Sequence, residues 1–430
     1  MKKYPKYKAS GVEWIGDIPE KWQAKKFKLV FHSQKGRTPK TLLSESNLNT
    51  DIYLAMDYLR ENPKQIFHVD KSESVTFVDD GDILLLWDGS NAGEFIKSKK
   101  GVLSSTMAKI SSNTIAKKYS WFFLKSYERL LRDFSIGMGI PHVNGNELRN
   151  CLIPIPSLEE QTQIANYLDY KTKEIETLII NKQMLIELLQ EERTATINHS
   201  VTKGINPKVK LKPSGIEWLG DIPENWEVTR LANLGTFLKG RGVSKADLTE
   251  EGVSVILYGD IYTKYNIVTS SIERKTSKEI AINSVRIYNG DLLFTASGET
   301  KEDIGKCICF TGDQEAYAGG DVVIFRQQKN VSLYLSYLFN SYHIIAQKAK
   351  LSKGEIVVHI YESQLRNIPF ALPSKKEQSV ILNHIEIEHN RINTIISKTK
   401  QEIELLKEYK TALISEVVTG KVDVRDEKIK

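Results

Sequence analysis

The sequence predicts an α+β protein in which two pseudo-symmetric mixed α/β domains are separated by a long antiparallel two-helix coiled coil. Three observations predict this fold class: the chain repeats itself, each copy ends in a long amphipathic segment, and short β-rich runs lie among helical ones within each copy. At 430 residues the chain exceeds one ordinary core, and about two to three domains are expected. We place a first domain at 1–156, a first long helix at 157–204, a second domain at 205–373, and a second long helix with a C-terminal tail at 374–430.

The repeat is clearest where each copy begins. Residues 8–22 (KASGVEWIGDIPEKW) and 212–226 (KPSGIEWLGDIPENW) are identical at eleven of fifteen positions. A K-G-R turn then follows in both copies, at 35–37 and at 239–241. Beyond this turn the middles of the two copies diverge, so we expect two domains of one architecture with different surfaces.

Within each copy, short apolar runs have the length of buried strands, and longer amphipathic runs have the pattern of helices. The strand candidates are 83–87 (ILLLW) and 322–325 (VVIF), and the helix candidates are 121–134 (WFFLKSYERLLRDF) and 333–349 (LYLSYLFNSYHIIAQKA). This mixture predicts a domain that contains both sheets and helices in each copy.

The copies match again at their ends, where 146–161 (NELRNCLIPIPSLEEQ) parallels 363–378 (SQLRNIPFALPSKKEQ) at a shift of 217 residues. From there, apolar residues recur at intervals of three and four, as one face of a helix requires. Proline and glycine are absent from 158–203 and from 375–419, which predicts two helices of roughly 65 Å. The pattern of a capping box opens each helix and a glycine closes each one, at Ser157, Glu160, Ser374, Glu377, Gly204 and Gly420.

A helix of this length with one apolar stripe must bury that stripe against a partner. Because both helices carry the same stripe, we expect them to pair with each other, antiparallel. The predicted interface consists of Ile164, Leu168, Ile175, Leu178, Leu189, Ile381, Ile385, Ile392, Ile395 and Leu406. Three charged residues, Lys171, Lys182 and Glu388, fall near this seam. They either fix the register of the pair or extend from it as surface charges.

Composition excludes some classes of protein and leaves others open. A net charge of +6 permits a polyanionic partner without demonstrating one. Three cysteines are too few for a disulfide framework, and the Cys307–Cys309 pair is interpreted as part of a strand with alternating faces rather than a metal site. The chain has neither an apolar run near the ~20 residues that span a bilayer nor an apolar segment behind its basic N-terminus, so we expect a cytoplasmic protein without a membrane partner.

The order of several short motifs resembles the DNA-specificity subunit of type I restriction–modification systems. The motifs are the two G-D-I-P-E-x-W segments, K-G-R-T-P at 35–39, W-D-G-S-N-A-G at 87–93, G-I-P-H-V at 139–143, and P-x-x-x-E-Q at 156–161 and 373–378. Each motif is weakly specific alone, but their order and repetition cover nearly the whole chain.

The resemblance implies two target-recognition domains, each of which binds one half of a split, asymmetric sequence in double-stranded DNA. It implies that the helices set the gap between the half-sites and dock two methyltransferase (modification) subunits, with restriction subunits where they are present. Adenine methylation with S-adenosylmethionine and DNA cleavage with ATP and Mg would belong to those partners. The specificity subunit itself would have no catalytic activity and no cofactor.

Candidate DNA contacts lie in loops that carry basic or amide side chains, because phosphate and base-edge contacts need such groups. The basic turns supply Lys35, Arg37, Lys40, Lys239 and Arg241. The loops that follow the buried strands supply Asp88, Ser90, Asn91, Ser297 and Lys301. A lysine cluster and two matching histidines add Lys97, Lys99, Lys100, His142 and His359. Exposed turns, structural loops, solvated charges and structural histidines are the alternatives to DNA contact.

Two other classes of function, an amino-methyltransferase and a coiled-coil scaffold, are alternatives. The segment 367–370 (NIPF) approaches an amino-methyltransferase motif, but Ile368 replaces its central proline, and Gly137 and Gly139 follow a helical pattern rather than the strand that a cofactor loop requires. A coiled-coil scaffold without nucleic acid remains the main alternative. Salt-dependent DNA binding distinguishes the two, since only a DNA-binding protein releases counterions.

Overall fold

Two long helices dominate the computed structural model, which describes residues 2–137 and 139–428. They extend over Leu158–Lys203 and Lys375–Val418, within one residue of the predicted bounds. Ser157 Oγ accepts a hydrogen bond from the backbone N–H of Glu160 at 3.3 Å, and Ser374 does the same for Glu377 at 3.3 Å. Both helices therefore begin at the serine that the sequence pattern indicated.

The chain divides into two compact units, Met1–Gln183 with Lys400–Lys430, and Met184–Thr399. Each unit holds one mixed α/β domain together with one half of each long helix. In the first unit, Lys410 Nζ lies 2.6 Å from a carboxylate oxygen of Glu176, and Lys182 Nζ lies 2.5 Å from one of Glu402. Since residue numbers rise along one helix as they fall along the other, the two helices are antiparallel there.

The second unit contains the same arrangement. Arg391 Nη2 lies 2.6 Å from a carboxylate oxygen of Glu192. Further along the first helix, Val201 shares a buried core with Ile381 and Ile385, which lie near the start of the second helix. The predicted antiparallel pairing is therefore confirmed within each unit.

Most predicted seam residues are buried, at Ile164, Leu168, Ile175, Leu189, Ile381, Ile385 and Ile392, while Ile395 and Leu406 are partly buried. Leu178 was assigned to the seam wrongly, because its side chain is 44% exposed. Buried and partly buried residues of the first helix follow two rows with a spacing of seven, one through 168, 175 and 189 and one through 172, 179 and 186. Leu178 lies outside both rows, on the side of the first row that faces away from the second, and the neighbouring Ile179 packs against the core instead.

The first domain contains two four-stranded sheets and two two-stranded ones. One four-stranded sheet is wholly antiparallel, with the order His32–Lys35, Met107–Ser111, Ile83–Leu86, Phe95–Lys97. The other has one parallel pair at its centre, in the order His68–Asp70, Thr50–Leu54, Gly101–Leu103, Phe77–Val78. The two-stranded sheets pair Tyr7–Ala9 with Asp17–Pro19, and Gln23–Lys26 with Leu152–Ile155. The shorter helices are Phe27–Val30, Met56–Leu59, Lys117–Asp133 and Gly145–Asn150.

The second domain follows the same plan with five strands in each larger sheet. One sheet has the order Thr236–Lys239, Val322–Arg326, Leu292–Thr295, Cys307–Phe310, Ile267–Thr269. The other has the order Leu248–Thr249, Lys275–Thr276, Val253–Ile256, Ala316–Ala318, Val285–Ile287. Three two-stranded sheets pair Leu211–Pro213 with Asp221–Pro223, Glu227–Arg230 with Pro369–Leu372, and Ser297–Gly298 with Val358–His359. The shorter helices are Leu231–Asn233 and Lys245–Asp247 (both 3₁₀), Tyr258–Thr263, Lys278–Ala281, Ser332–Phe339, Tyr342–Leu351 and Glu362–Leu365.

The predicted strands and helices correspond to observed ones, with one correction. The run predicted as one helix at 333–349 forms two helices, Ser332–Phe339 and Tyr342–Leu351. The side chain of Asn340 ends the first of them, since its amide donates to the carbonyl of Cys307 at 2.6 Å and its oxygen accepts from the backbone N–H of Cys307 at 3.1 Å. A polar side chain bound to a neighbouring strand thus breaks an otherwise continuous helical pattern.

The repeated P-x-x-x-E-Q motif joins each domain to a long helix. Gln161 is buried, and its oxygen accepts from the backbone N–H of Ala116 at 2.8 Å while its amide donates to the carbonyl of Pro156 at 3.1 Å. Gln378 makes the matching bonds to Val331 at 2.9 Å and to Pro373 at 2.9 Å. Because Ala116 and Val331 each precede a domain helix, the glutamine satisfies an N–H that the helix start leaves free.

Buried tyrosines join each domain to the end of the other long helix. The hydroxyl of Tyr119 donates to the carbonyl of Val418 at 3.2 Å, and the hydroxyl of Tyr334 donates to that of Val201 at 3.0 Å. Both carbonyls lie in the last turn of a long helix, where backbone acceptors have no partner within the helix. Each domain therefore holds the start of one long helix and the end of the other.

Two composition-based predictions can be placed in the fold. Cys307 and Cys309 lie in a strand as predicted, but all four residues of Cys307–Phe310 are buried, so neither face is exposed. Among the described residues, none of the helices is long and apolar enough to cross a membrane.

Candidate nucleic-acid interface

Three of the predicted DNA-contact residues form one cluster in the first domain. Lys35 ends the strand His32–Lys35, and Asp88 follows Ile83–Leu86 at the same edge of the antiparallel sheet. Asp88 Oδ2 lies 3.1 Å from Lys35 Nζ, and Asp88 Oδ1 lies 2.7 Å from His142 Nδ1. Asp88 thus holds a lysine and a histidine side by side at a surface position.

The electrostatics of this cluster assign Asp88 a positioning role. Partial burial alone would raise the pKa of Asp88, but the hydrogen bond with His142 and the interaction with Lys35 outweigh burial and lower the pKa below its usual value. A carboxylate that is ionised and already bound twice repels phosphate, so of these three side chains Asp88 is the least suited to contact DNA directly. Lys35 also lies over the ring of Trp87, with Nζ 5.7 Å from the ring centroid.

His142 closes a short hairpin that begins at Ile136. The backbone N–H groups and carbonyls of Ile136 and His142 bind each other at 2.9 and 2.7 Å. A further bond, from the N–H of Gly89 to the carbonyl of Pro141 at 2.9 Å, attaches this hairpin to the W-D-G-S-N-A-G loop. Two segments that are 54 residues apart in the sequence, around Asp88 and around His142, therefore form one surface.

The second domain repeats this arrangement with a different residue pair. His359 closes a hairpin with Lys353, through backbone bonds of 2.9 and 2.7 Å, and its Nδ1 lies 2.9 Å from Ser297 Oγ. Direct DNA contact by Ser297 was predicted wrongly, since its side chain is buried and 2% exposed. Its hydroxyl lies in the Ser297–Gly298 strand, which pairs with Val358–His359, so Ser297 orients the partly buried His359 instead.

The K-G-R turns share one conformation in both domains. A Cβ atom on Gly36 would lie 2.1 Å from the carbonyl oxygen of Ser104, and one on Gly240 would lie 2.1 Å from that of Gly319. Only glycine fits so close to a neighbouring strand. The flanking Arg37 and Arg241 are exposed, and Arg37 Nη1 donates to Ser74 Oγ at 2.9 Å.

The remaining candidates near these turns lie at the surface. Lys40, Ser90, Lys239 and Lys301 are exposed, while Asn91 is partly buried. Asn91 Oδ1 accepts a long hydrogen bond of 3.4 Å from Arg132 Nη2. Arg132 was not considered from the sequence, because it belongs to the helix Lys117–Asp133 and only the fold brings it to this loop.

The lysine cluster at 97–100 lies elsewhere. Lys97 pairs in register with Ile83 at the start of the strand whose other end leads to Asp88, roughly 16 Å away at the rise of a strand. Lys97 Nζ lies 5.0 Å from the centroid of the Trp121 ring, and Lys99 Nζ lies 3.0 Å from Glu61. Lys100 is exposed. The structure thus separates these three lysines from the Lys35–Asp88–His142 cluster.

The repeated hairpin is a feature that sequence reasoning missed. Both copies read S-x-G-x-x-x-x-H, at 135–142 and at 352–359, with the shift of 217 residues that also relates the long helices. Each matching glycine has a positive φ, +111° at Gly137 and +108° at Gly354. The serine, glycine and histidine spacing was present in both copies and could have indicated a shared turn.

The methyltransferase alternative finds no support in the position of its motif. Phe370 lies in the strand Pro369–Leu372, which pairs with Glu227–Arg230, and its side chain is fully buried in the domain core. An aromatic ring in that place cannot stack on a nucleobase. In the part of the chain that the structure describes, no three His, Cys, Asp or Glu side chains converge as a metal ion would require.

Comparisons with a family model, with curated relatives and with solved structures all indicate the same protein family. The family described as the type I restriction modification DNA specificity domain matches residues 19–185 and 223–405. The type I restriction enzyme MjaVIII specificity subunit of Methanocaldococcus jannaschii is 30% identical over 423 residues, which cover 95% of this chain and 95% of that protein. The crystal structure of the HsdS subunit from Thermoanaerobacter tengcongensis has a similar fold, with a TM-score of 0.59, 14% identity, and coverage of 94% of this chain and 98% of that one. A chain solved in work on complex assembly and conformational transition of the type I R-M system aligns with a TM-score of 0.63, 16% identity, and coverage of 94% and 99%.

Proposed function

Because this chain belongs to the family of type I restriction–modification DNA-specificity subunits, we propose that it recognises a split, asymmetric sequence in double-stranded DNA, with one half-site bound by each domain. Membership of this family favours a DNA-binding protein over the alternative of a coiled-coil scaffold without nucleic acid. The proposal goes further than membership, since it assigns a surface to each half-site.

The observation that carries the proposal is the equivalence of two surfaces that differ in their residues. Each domain places a histidine against the loop that follows a buried strand, but the partner of that histidine is Asp88 in one domain and Ser297 in the other. A carboxylate and a hydroxyl orient an imidazole with different charge and hydrogen-bonding capacity. Two surfaces of one shape and different chemistry suit two half-sites of different sequence.

Binding would combine two kinds of contact. Lys35 and Lys239, each at the end of an edge strand, are placed to bind phosphate oxygens, which position a protein on the duplex without selecting sequence. Arg37 and Arg241 extend from glycine turns whose backbones are closely packed. A guanidinium held in this way can bind the edge of guanine with two hydrogen bonds.

The partners and cofactors are assigned by the same proposal. The long helices would set the number of base pairs between the half-sites and dock two modification subunits, with restriction subunits where they exist. Adenine methylation with S-adenosylmethionine and cleavage with ATP and Mg would occur on those subunits, and this chain would contribute recognition alone. The complex would act on DNA in the cytoplasm.

Domain-selective substitutions test the assignment of surfaces. The chain is expressed with its modification subunits, and the methylated sequences in the host genome are mapped. Asp88→Ala is expected to relax the preference at one half-site and Ser297→Ala at the other, because each removes the group that orients one histidine. Asp17→Ala removes the same charge from an exposed position and serves as the control. A change at both half-sites from one substitution, or at neither from both, would contradict the proposal.

Salt dependence separates the DNA-binding protein from the scaffold. With the assembled complex and a duplex that carries the mapped sequence, affinity should fall by about two orders of magnitude or more between 50 and 200 mM salt, as expected when several phosphate contacts are made. Combined Lys35→Ala and Lys239→Ala substitutions should reduce the slope of that dependence. A flat response of the unsubstituted complex would favour the scaffold.

A further inference from the structure

The two histidine hairpins are built alike and present apolar tips. In the first domain, Ile136 and His142 close the hairpin, and in the second Lys353 and His359 close it, with backbone bonds of the same lengths, 2.9 and 2.7 Å. These four residues obey the shift of 217 that relates the copies. The hairpins are therefore equivalent elements, in a part of the chain where most surface residues have diverged.

Each tip carries an exposed β-branched side chain. Ile140 is 63% exposed in the first domain, and its counterpart at the shift of 217, Val357, is 49% exposed in the second. Ile356, the residue before Val357, is 91% exposed and is the more prominent apolar side chain of the second tip. A single exposed apolar residue is ordinary on a protein surface. What distinguishes these residues is that both domains place them on the same turn, beside the histidine of the candidate interface.

The turns that hold these side chains each require a glycine. A Cβ atom on Gly137 would lie 2.6 Å from the carbonyl oxygen of Ile140, and one on Gly354 would lie 2.1 Å from that of Val357. Both glycines also have the positive φ that side chains disfavour.

The surroundings identify the partner. In the first domain, His142 and Lys35 lie on either side of Asp88, so the hairpin continues into the basic K-G-R turn. In the second domain, the exposed Lys353 stands at the base of the hairpin. Lysine side chains near an apolar tip match a duplex, whose phosphates surround the apolar faces of its stacked bases.

The second tip also carries one acidic side chain. Glu355 precedes Ile356 and is exposed, and phosphate would repel it. A glutamate that reaches the base edges can instead accept a hydrogen bond from the amino group of cytosine. Its presence therefore favours a tip that enters a groove over one that rests on the phosphate backbone.

We propose that Ile140 and Ile356 act as wedges, each entering a groove of its half-site and partly unstacking one base step. This role rests on the proposed function and adds a deformation of the DNA to it. The energy of unstacking depends on the step, and pyrimidine–purine steps are the easiest to open. Each wedge would thus contribute selectivity at a step without a hydrogen bond to either base.

Fluorescence of 2-aminopurine tests the proposal, because this base brightens when it unstacks. The probe is a duplex selected by the assembled wild-type complex from a randomised pool, in which each adenine is replaced in turn by 2-aminopurine. Wild-type complex should brighten one position in each half-site. Ile140→Ala should abolish the rise in one half-site, Ile356→Ala in the other, and Ile140→Phe should retain it.

The same fluorescence measurement, made on control variants, distinguishes the wedge from other roles of the tips. Leu29→Ala and Leu211→Ala remove other exposed apolar side chains, one from each domain, and should leave both signals unchanged. If wild-type complex binds the selected duplex and neither Ala variant alters the fluorescence, the wedge is wrong while the proposed function stands. If the variants instead lose co-elution with the modification subunits, the tips contact protein. If wild-type complex selects no sequence from the pool, the proposed function fails as well.

Discussion

The indole N–H of Trp226 donates a hydrogen bond of 3.0 Å to the carboxylate of Glu377. Trp22 makes the equivalent bond of 3.1 Å to Glu160. The tryptophan ends the opening motif of each copy, and the glutamate belongs to the first turn of each long helix. The most strongly repeated segment of the sequence is thus explained as the attachment of a domain to its helix, since the carboxylate that a capping box would direct to the backbone is used here to bind the tryptophan.

Loss of this bond should destabilise the second unit. Trp226→Phe leaves a charged acceptor with one partner fewer, and the free energy of unfolding should fall by about 2–3 kcal/mol. Urea unfolding, with proteolysis and quantitation of peptides from 184–399, measures the effect. Trp218→Phe makes the same change at a partly buried position, and an equal loss in both variants would contradict the role of the bond.

Replacing the buried glutamine of the P-x-x-x-E-Q motif should lower the free energy of unfolding more than replacing an exposed glutamine of the same helix. Gln378→Leu leaves the N–H of Val331 without its acceptor, which should cost about 2–3 kcal/mol of stability. Gln401→Leu, at an exposed position of the same helix, should change stability by less than about 0.5 kcal/mol. Similar midpoints for the two variants in urea would show that the motif has another purpose.

Two positions about one turn apart on the first long helix should respond differently to substitution by serine. Ile175→Ser removes a buried side chain from the seam and should cost about 2–4 kcal/mol, whereas Leu178→Ser should cost less than about 1 kcal/mol. Loss of helical circular dichroism on heating reports both. Equal losses of stability in the two variants would show that Leu178 belongs to the helix interface.

Lys348 should make the second domain more stable as pH rises. Its side chain is fully buried, with Nζ donating to the carbonyls of Gly305 at 2.6 Å and Phe339 at 2.8 Å. Burial lowers the pKa of Lys348 to about 8, from 10.5. Between these values the unfolded chain binds more protons, so this lysine should raise the free energy of unfolding by up to about 3 kcal/mol between pH 8 and 10.5.

The measurement for Lys348 is a difference between two proteins. Buried tyrosines such as Tyr119 and Tyr334, whose pKa values burial raises, work in the opposite direction at high pH. Subtracting the stability of Lys348→Met from that of the wild type at each pH removes their contribution. A difference that stays constant from pH 8 to 10 would mean that burial does not lower the pKa of Lys348, so that the side chain stays protonated in the folded state as it does in the unfolded chain.

The long helices could be predicted closely because their signals are local. A serine before each start, a glycine after each end and an unbroken amphipathic pattern are all properties of neighbouring residues. The helical run at 333–349 shows the limit of such reasoning, since Asn340 breaks it through a bond to a strand that is 33 residues away. Leu178 shows a second limit, because intervals of three and four admit it while the rows of seven do not.

Part of the candidate interface could also be predicted from the sequence, and part could not. The K-G-R turns and the two histidines could be found because both copies contain them. The burial of Ser297, the distance of Lys97 from Asp88 and the approach of Arg132 to Asn91 depend on strand order and register, which composition and periodicity do not encode. Pairing of the tryptophan with the glutamate was missed although both were repeated, since their sequence separation of 138 in one copy and 151 in the other gave no direct sign of contact.

The matching positions of the seam residues in the two long helices have a consequence for recombination between genes of this kind. Leu168 and Ile385 occupy matching seam rows 217 residues apart, and the other seam residues of the two helices match at the same separation. A genetic crossover that exchanged one helix for the other at equivalent codons would leave every seam residue in phase. Because the boundaries of the compact units also fall within the helices, at 183/184 and 399/400, a transferred gene segment bounded there would encode a whole domain with the helix halves it packs on. New combinations of half-sites could therefore arise by shuffling, without any adjustment of the protein around the junctions.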